Sequence, residues 1–306
     1  MPDNTWITPY RLPSSRCLSL GPSQGMVYKL DENVVVKLPF QYPVDDTSPE
    51  TDDHLFLSLQ SFALFKKESH FYSLLAEAPH PHIARSFRNG QAHALFMECL
   101  DPLEEVWGRV TRDTRLGWTT QLLDALAWME SLGYIHGDIT IRNMGVDRRS
   151  QLKLYDFGSI VHKDEENFHL CVLDDHFSLA NTIHFLASGV DPLAKADSLP
   201  DLRRIEADLR EGTAAVEEEA RDLEQVIQDG WRRIPRSKSG FSDLRKIVAE
   251  MIGHDSTQGL PHRPDNLSLE VTSPHPFLSD EEPQWMNEEE YRIAWMEKGY
   301  TLPTWT

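Results

Sequence analysis

Lys37, Asp138, Asn143 and Asp156 are polar side chains set in apolar stretches. Lys37 closes the run Val34-Val35-Val36, and the other three stand among Ile135, Ile139, Ile141 and Leu154. Carboxylates, an amide and an ammonium group in such surroundings need compensation, because leaving them buried and unpaired is costly. A divalent cation with its phosphate supplies it, since a hard cation takes oxygen ligands of the kind Asp and Asn offer. The chemistry open to this set is chemistry at a metal-bound phosphate.

The elements that must position these residues can be read from the pattern. Residues 1–17, with Pro2, Pro9 and Pro13, form an irregular arm. From Leu18, β-branched runs interrupted by Gly21, Gly25 and the Asp31-Glu32-Asn33 turn predict three antiparallel strands, the third ending at Lys37. Residues 42–53 are rich in Pro and Asp and predict a loop. Apolar residues at helical spacing (Leu64, Phe65, Phe71, Tyr72, Leu75) then predict a helix over 54–77, with Glu68 inside its stripe. His80-Pro81-His82-Ile83 is a connector rather than a metal site, because no Cys or His cluster follows at zinc spacing. Two strands follow, at 83–88 and 93–97. A helix over 116–132, with Leu122, Leu123, Leu126, Ala127 and Met129 inward and Gly133 as its stop, delivers the chain to Asp138. Leu202, Ile205, Leu209, Val216, Leu223 and Val226 keep a helical beat. Residues 258–280 read as a loop, and Asn287 with Glu290 makes a capping box for a last helix through Lys298, stopped by Gly299, with Trp285 and Trp295 as anchors.

Of the 306 residues, 40% are hydrophobic and 26% charged, the proportions of an ordinary globular protein with a substantial core. The net charge of -19 argues against a nucleic-acid partner, whose phosphates demand clustered Lys and Arg. No run of eighteen apolar residues and no charged-then-apolar leader is present, so neither membrane spanning nor secretion is expected. Cys17, Cys99 and Cys171 are odd in number and scattered. That usage points to a reducing cytoplasmic compartment, with the nucleus as the alternative.

His136-Gly137-Asp138 with Asn143 five residues after the Asp, followed by Asp156-Phe157-Gly158, resembles the catalytic loop and metal-binding triplet of the protein kinase superfamily. The step from Asn143 to Asp156 suits the hairpin that joins those loops in the family. Either motif alone would be weak, whereas the ordered pair is specific. The resemblance covers residues 18–251 and implies an α+β fold of two lobes. The first is a small antiparallel sheet with one helix (18–98) and the second a larger helical lobe (99–257). A C-terminal extension (258–306) is expected to pack on the larger lobe.

The resemblance also implies the roles. Asp138 would receive or orient the acceptor hydroxyl, Asn143 and Asp156 would hold Mg²⁺, and Lys37 would bridge the phosphates of ATP and a Glu on the next helix. Glu68 is the candidate for that Glu, with Glu77 as competitor. Gly21, Gly25 and Val27 lie in a turn similar to the family's glycine loop, with Leu20 and Pro22 where glycines are expected. Met97 would guard the rear of the adenine pocket, and backbone groups near Glu98 and Leu100 would hydrogen-bond adenine. Phe157, His136 and Tyr72 would stack as an apolar spine, which makes His136 a packing residue.

Three departures bear on the acceptor. Gly137 stands where the family commonly has an Arg that captures a phosphorylated loop, and Thr140 where many Ser/Thr kinases have a Lys, while Arg142 offers a cation nearby. Only Ser159–Asp174 precede a helix beginning at Asp175, with no Ala-Pro-Glu triplet in the interval. Trp231, Pro235, Phe241 and Leu244 resemble a late pattern in which an Arg pairs with the Glu of that triplet, and here the position is Lys238. Both ends of one buried ion pair are absent together, as electrostatics requires. The His-Gly-Asp loop is also similar to aminoglycoside and choline phosphotransferases. The expectation is an ATP-dependent phosphotransferase acting on a hydroxyl, Ser/Thr of a protein first, a small molecule second, with a nucleotide-binding pseudokinase scaffold as the third reading.

Overall fold

The computed structural model describes residues 16–18, 25–45, 47–87, 94–233, 240–253 and 286–302. Gly21, Leu20 and Pro22, the arm before residue 16, Pro235, Lys238, the loop expected over 258–280 and Trp285 lie outside them.

The fold is mixed α+β, with small antiparallel sheets and many helices. Its elements run β1 (Arg16–Cys17), β2 (Gly25–Lys29), β3 (Val34–Pro39), α1 (Thr51–Leu75), β4 (Ser86–Phe87), β5 (Leu95–Glu98), β6 (Asp101–Pro102), α2 (Leu103–Trp107), α3 (Arg112–Ser131) and β7 (Tyr134–Ile135). Then come β8 (Met144–Val146), β9 (Leu152–Leu154), β10 (Val161–His162), α4 (Phe168–Ser188), α5 (Leu199–Glu211), α6 (Glu224–Trp231), α7 (Phe241–Met251) and α8 (Glu288–Glu297). Among the described residues no helix is long and apolar enough to cross a membrane.

The chain divides into two compact units, the first holding the described residues up to 77, from 85 to 99 and from 286 onward. Its sheet has the order β1-β2-β3-β5-β4. The β2–β3 turn forms because Asp31 Oδ1 accepts the Asn33 and Val34 N–H groups at 2.6 and 2.9 Å, the local bonding that favours Asp in turns. Tyr28, Val34, Val36, Leu38, Phe40 and Phe96 make the core of this sheet. Helix α1 is tied to the end of β3 by two serines: Ser61 Oγ accepts the Phe40 N–H at 2.7 Å and Ser58 Oγ the Tyr42 N–H at 2.9 Å.

The closing helix α8 has the expected capping box of Asn287 and Glu290. It belongs to the first unit, with Tyr291 and Trp295 packed on Leu55, Leu59 and Phe62 of α1. The expected packing on the larger lobe is thereby corrected. The physical reason is on α1, whose face at positions 55, 59 and 62 needs an apolar cover.

The second unit holds residues 78–84 and the described residues from 100 to 253. The switch at 99/100 falls one residue from the expected boundary, but residues 78–84 leave the small unit. Their backbone joins β9, with Ala84 N–H donating to Leu154 O at 2.9 Å and Leu154 N–H to His82 O at 3.0 Å. Helix α3 is capped by Thr111, whose hydroxyl accepts the Thr114 N–H, and is stopped by Gly133, with φ +83. Ala125, rather than Ala127, shares its buried face with Leu122, Leu126 and Met129. Helix α4 packs against α3 and α6. It starts at Phe168, two turns before the expected Asp175. The helical beat over 202–226 is broken at Gly212, φ +72, and is carried by α5, a 3-10 turn over Glu218–Leu223 and α6.

Candidate active site

Each unit carries a set of the polar residues singled out in the sequence. In the first, Lys37 projects from β3 and Glu68 from α1, and their Nζ and Oε2 atoms are 2.6 Å apart with side chains 6% and 1% exposed. So the partner expected on the next helix is Glu68, not Glu77. A pair this enclosed is held on both sides: loss of either partner strands the other, a cost of about 3–5 kcal/mol. Val27 lies opposite Lys37 in the β2–β3 ladder and Gly25 opposite Pro39. A Cβ at Gly25 would meet Leu38 O at 2.8 Å and the Lys37 stem at 3.1 Å, so glycine lets β2 lie close over the lysine.

Met97 is buried on β5, paired with Val35 and Ser86. The Glu98 carboxylate receives the Arg85 N–H at 2.8 Å and its guanidinium at 3.2 and 3.3 Å. The Glu98 N–H is bonded to Arg85 O at 3.0 Å and the Cys99 N–H to Asn33 O at 2.7 Å. Both amides are thus committed within the sheet.

The second unit holds Asp138, Asn143 and Asp156. The β8–β9 hairpin brings two of them together, because Met144 pairs with Leu154 and the Tyr155 N–H donates to Asn143 O at 3.0 Å. The Tyr155 hydroxyl closes the hairpin mouth by donating to Arg142 O at 2.8 Å. Asn143, in a 3-10 turn, directs Nδ2 to both the carbonyl and Oδ2 of Asp138, each at 2.9 Å. With the amide nitrogen held there, Oδ1 is the atom of Asn143 that remains for a cation. Asp156 has φ 65 and ψ 72, a left-handed conformation costing a non-glycine residue roughly 1–3 kcal/mol and typical of functional sites.

His136 is fully buried, 5.3 Å from the Phe157 ring. Its Nδ1 faces the Asp138 N–H at 3.3 Å and its Nε2 faces Tyr155 O at 3.2 Å. Only one tautomer satisfies both: Nδ1 accepts and Nε2–H donates. The ring is a structural brace for Asp138 and Tyr155. Tyr72, the third expected spine residue, lies buried on α1 in the first unit.

Asp175, expected as the start of a helix, has a second part in this site. Asp175 on α4 accepts the His136 N–H at 2.9 Å and the Gly137 N–H at 3.0 and 3.1 Å, so it carries the backbone just ahead of Asp138. Burial pushes its carboxyl up to about 7, against the two backbone donors that favour its charged form, and the Asp138 charge adds to the upward shift. The signal was present in the sequence: Asp175 shares a helical face with Leu179, Thr182 and Leu186, where a carboxylate needs partners. Gly137 is required by the backbone itself. It has φ +77, and a Cβ there would run into the carbonyl oxygen of Ser159.

Among the described residues no three His, Cys, Asp or Glu side chains stand together as a metal cluster. Mg²⁺ does not demand one, because it is held by one or two protein oxygens together with substrate phosphates. Asn143 and Asp156 fit that smaller donor set in chemistry. No protein-family model matches this chain, and no curated protein matches it.

Proposed function

We propose that the chain is a phosphotransferase of two-lobed, protein kinase-like fold that moves the γ-phosphate of Mg-ATP to a hydroxyl. The observation that carries this reading is the buried pair of Lys37 and Glu68. A lysine held from behind by a carboxylate has a fixed direction, which is what placing a triphosphate requires. The second unit supplies the complementary set. Asp138, oriented by Asn143 and by the braced loop from His136, takes the proton of the attacking hydroxyl as its oxygen bonds to phosphorus and ADP departs. Asn143 Oδ1 and the Asp156 carboxylate would hold Mg²⁺, which when bound neutralises phosphate charge. The Leu100 N–H would be the donor for a purine edge.

Ser or Thr of a protein is the first acceptor reading. A small hydroxyl compound is the second, and one observation favours it. Because α4 begins at Phe168, only residues 160–167 follow the Phe157–Ser159 turn before the helix, too short a span to build a separate peptide platform. Labelled ATP with Mg²⁺, offered to pools of peptides and of small alcohols, tests the reading. Transfer to either pool that is lost in Asp138→Asn supports it and assigns the acceptor. Nucleotide binding without transfer to any acceptor replaces it with the pseudokinase scaffold.

A further inference from the structure

We infer that α8 is a positioning element for Glu68, a latch that sets where α1 presents its carboxylate to Lys37. This rests on the phosphotransferase reading for its consequence, although the latch itself is a matter of packing. The contact runs along one face of α1. Leu55, Leu59 and Phe62 take Tyr291 and Trp295, and Lys66 continues the line with Nζ 2.5 Å from Glu288 Oε2. Positions 55, 59, 62 and 66 are successive turns of one helix stripe, and the last lies two residues before Glu68.

The same segment also grips the strand that carries the lysine. Gln41, two residues past β3 and fully buried, donates through Nε2 to Met286 O at 3.1 Å and accepts the Met286 N–H through Oε1 at 3.0 Å. Ser58 and Ser61 bind the Tyr42 and Phe40 amides between these two contacts. The residues from 286 onward therefore touch both α1 and the end of β3, the two elements whose spacing determines the Lys37–Glu68 distance. Tyr291 and Trp295 are fully buried in this contact, so α8 is part of the unit's core and not a loose appendage.

The test uses full-length wild type, Trp295→Ala and Trp295→Phe, read by amide hydrogen exchange and by Mg-ATP titration. In Trp295→Ala, exchange rises about tenfold or more over 288–297 and also over 64–75, the turns around Glu68, while α3 and α4 keep wild-type protection. Mg-ATP dissociation rises about fivefold or more in the same variant, and Trp295→Phe, which keeps an aromatic anchor, restores both to within about twofold. If Trp295→Ala loses protection throughout β2 and β3 as well, Gln41→Ala, which removes the two bonds to Met286 and leaves Trp295 in place, decides by the same comparison. The latch is overturned if α8 exchanges freely while 64–75 and nucleotide affinity stay within about twofold of wild type. Should wild type bind no Mg-ATP, the proposed function fails, and the exchange at 64–75 still decides the latch.

Discussion

At the scale of single residues, the site depends on groups whose partners are already in place before any ligand arrives. Lys37 and Glu68 hold each other, so Lys37→Met leaves a buried carboxylate alone and is expected to lower stability by about 3–5 kcal/mol, measured by chemical denaturation. The double variant Lys37→Met/Glu68→Leu is expected to recover most of that stability, because an apolar pair of similar volume replaces the ion pair, yet to transfer no phosphate. Gly137→Ala must place a Cβ against Ser159 O at a positive φ, and is expected to cost about 2 kcal/mol or more and to abolish transfer. Asp175 makes the pH dependence testable. Its folded carboxyl sits at about 7 against an ordinary value of 3.8, so the folded state holds the proton more tightly. Its contribution to stability is fully present below the unfolded value and is lost as pH rises toward 7. Comparing denaturation of wild type and Asp175→Asn between those limits should show this slope in wild type and its absence in the variant. Asp175→Ala, which leaves the His136 and Gly137 amides without their acceptor, is expected to cost about 2–5 kcal/mol at low pH, where the contribution of Asp175 is fully present, and less as pH rises toward 7.

At the scale of elements, the parts legible in the sequence were those with local chemistry. The Asp31 turn, Gly133 and the Asn287–Glu290 box each rest on bonds within four residues, and each lies where the pattern placed it. The start of α4 was not legible, because Asn167 makes no side-chain cap there and nothing in Phe168–Asp174 marks a boundary. The role of Asp175 was hidden for a different reason, since its partners are two amides nearly forty residues away in sequence. Ser58 and Ser61 are hidden for the same reason: a serine inside a helix carries no mark of the distant amide that it binds. Ser61→Ala leaves the buried Phe40 N–H without its acceptor and is expected to lower the stability of the first unit by about 1–3 kcal/mol in thermal unfolding, with a loosened β3–α1 spacing.

At the scale of the whole molecule, the chain passes from its first unit into the second at residue 78, returns at 85 and leaves again at 100. Its described C-terminal residues, 286–302, come back to the first unit. Composition and periodicity carry no information about that return, because Trp295 and Tyr291 would anchor equally well on any apolar face. Lys37 and Glu68 lie in one unit and Asp138, Asn143 and Asp156 in the other. The claim that both act on one nucleotide is tested most directly by titrating Mg-ATP into wild type, Lys37→Met and Asp156→Asn. One Mg²⁺-dependent site per chain is expected, weakened about tenfold or more by each substitution alone. Absence of binding, or binding that neither substitution changes, would contradict it.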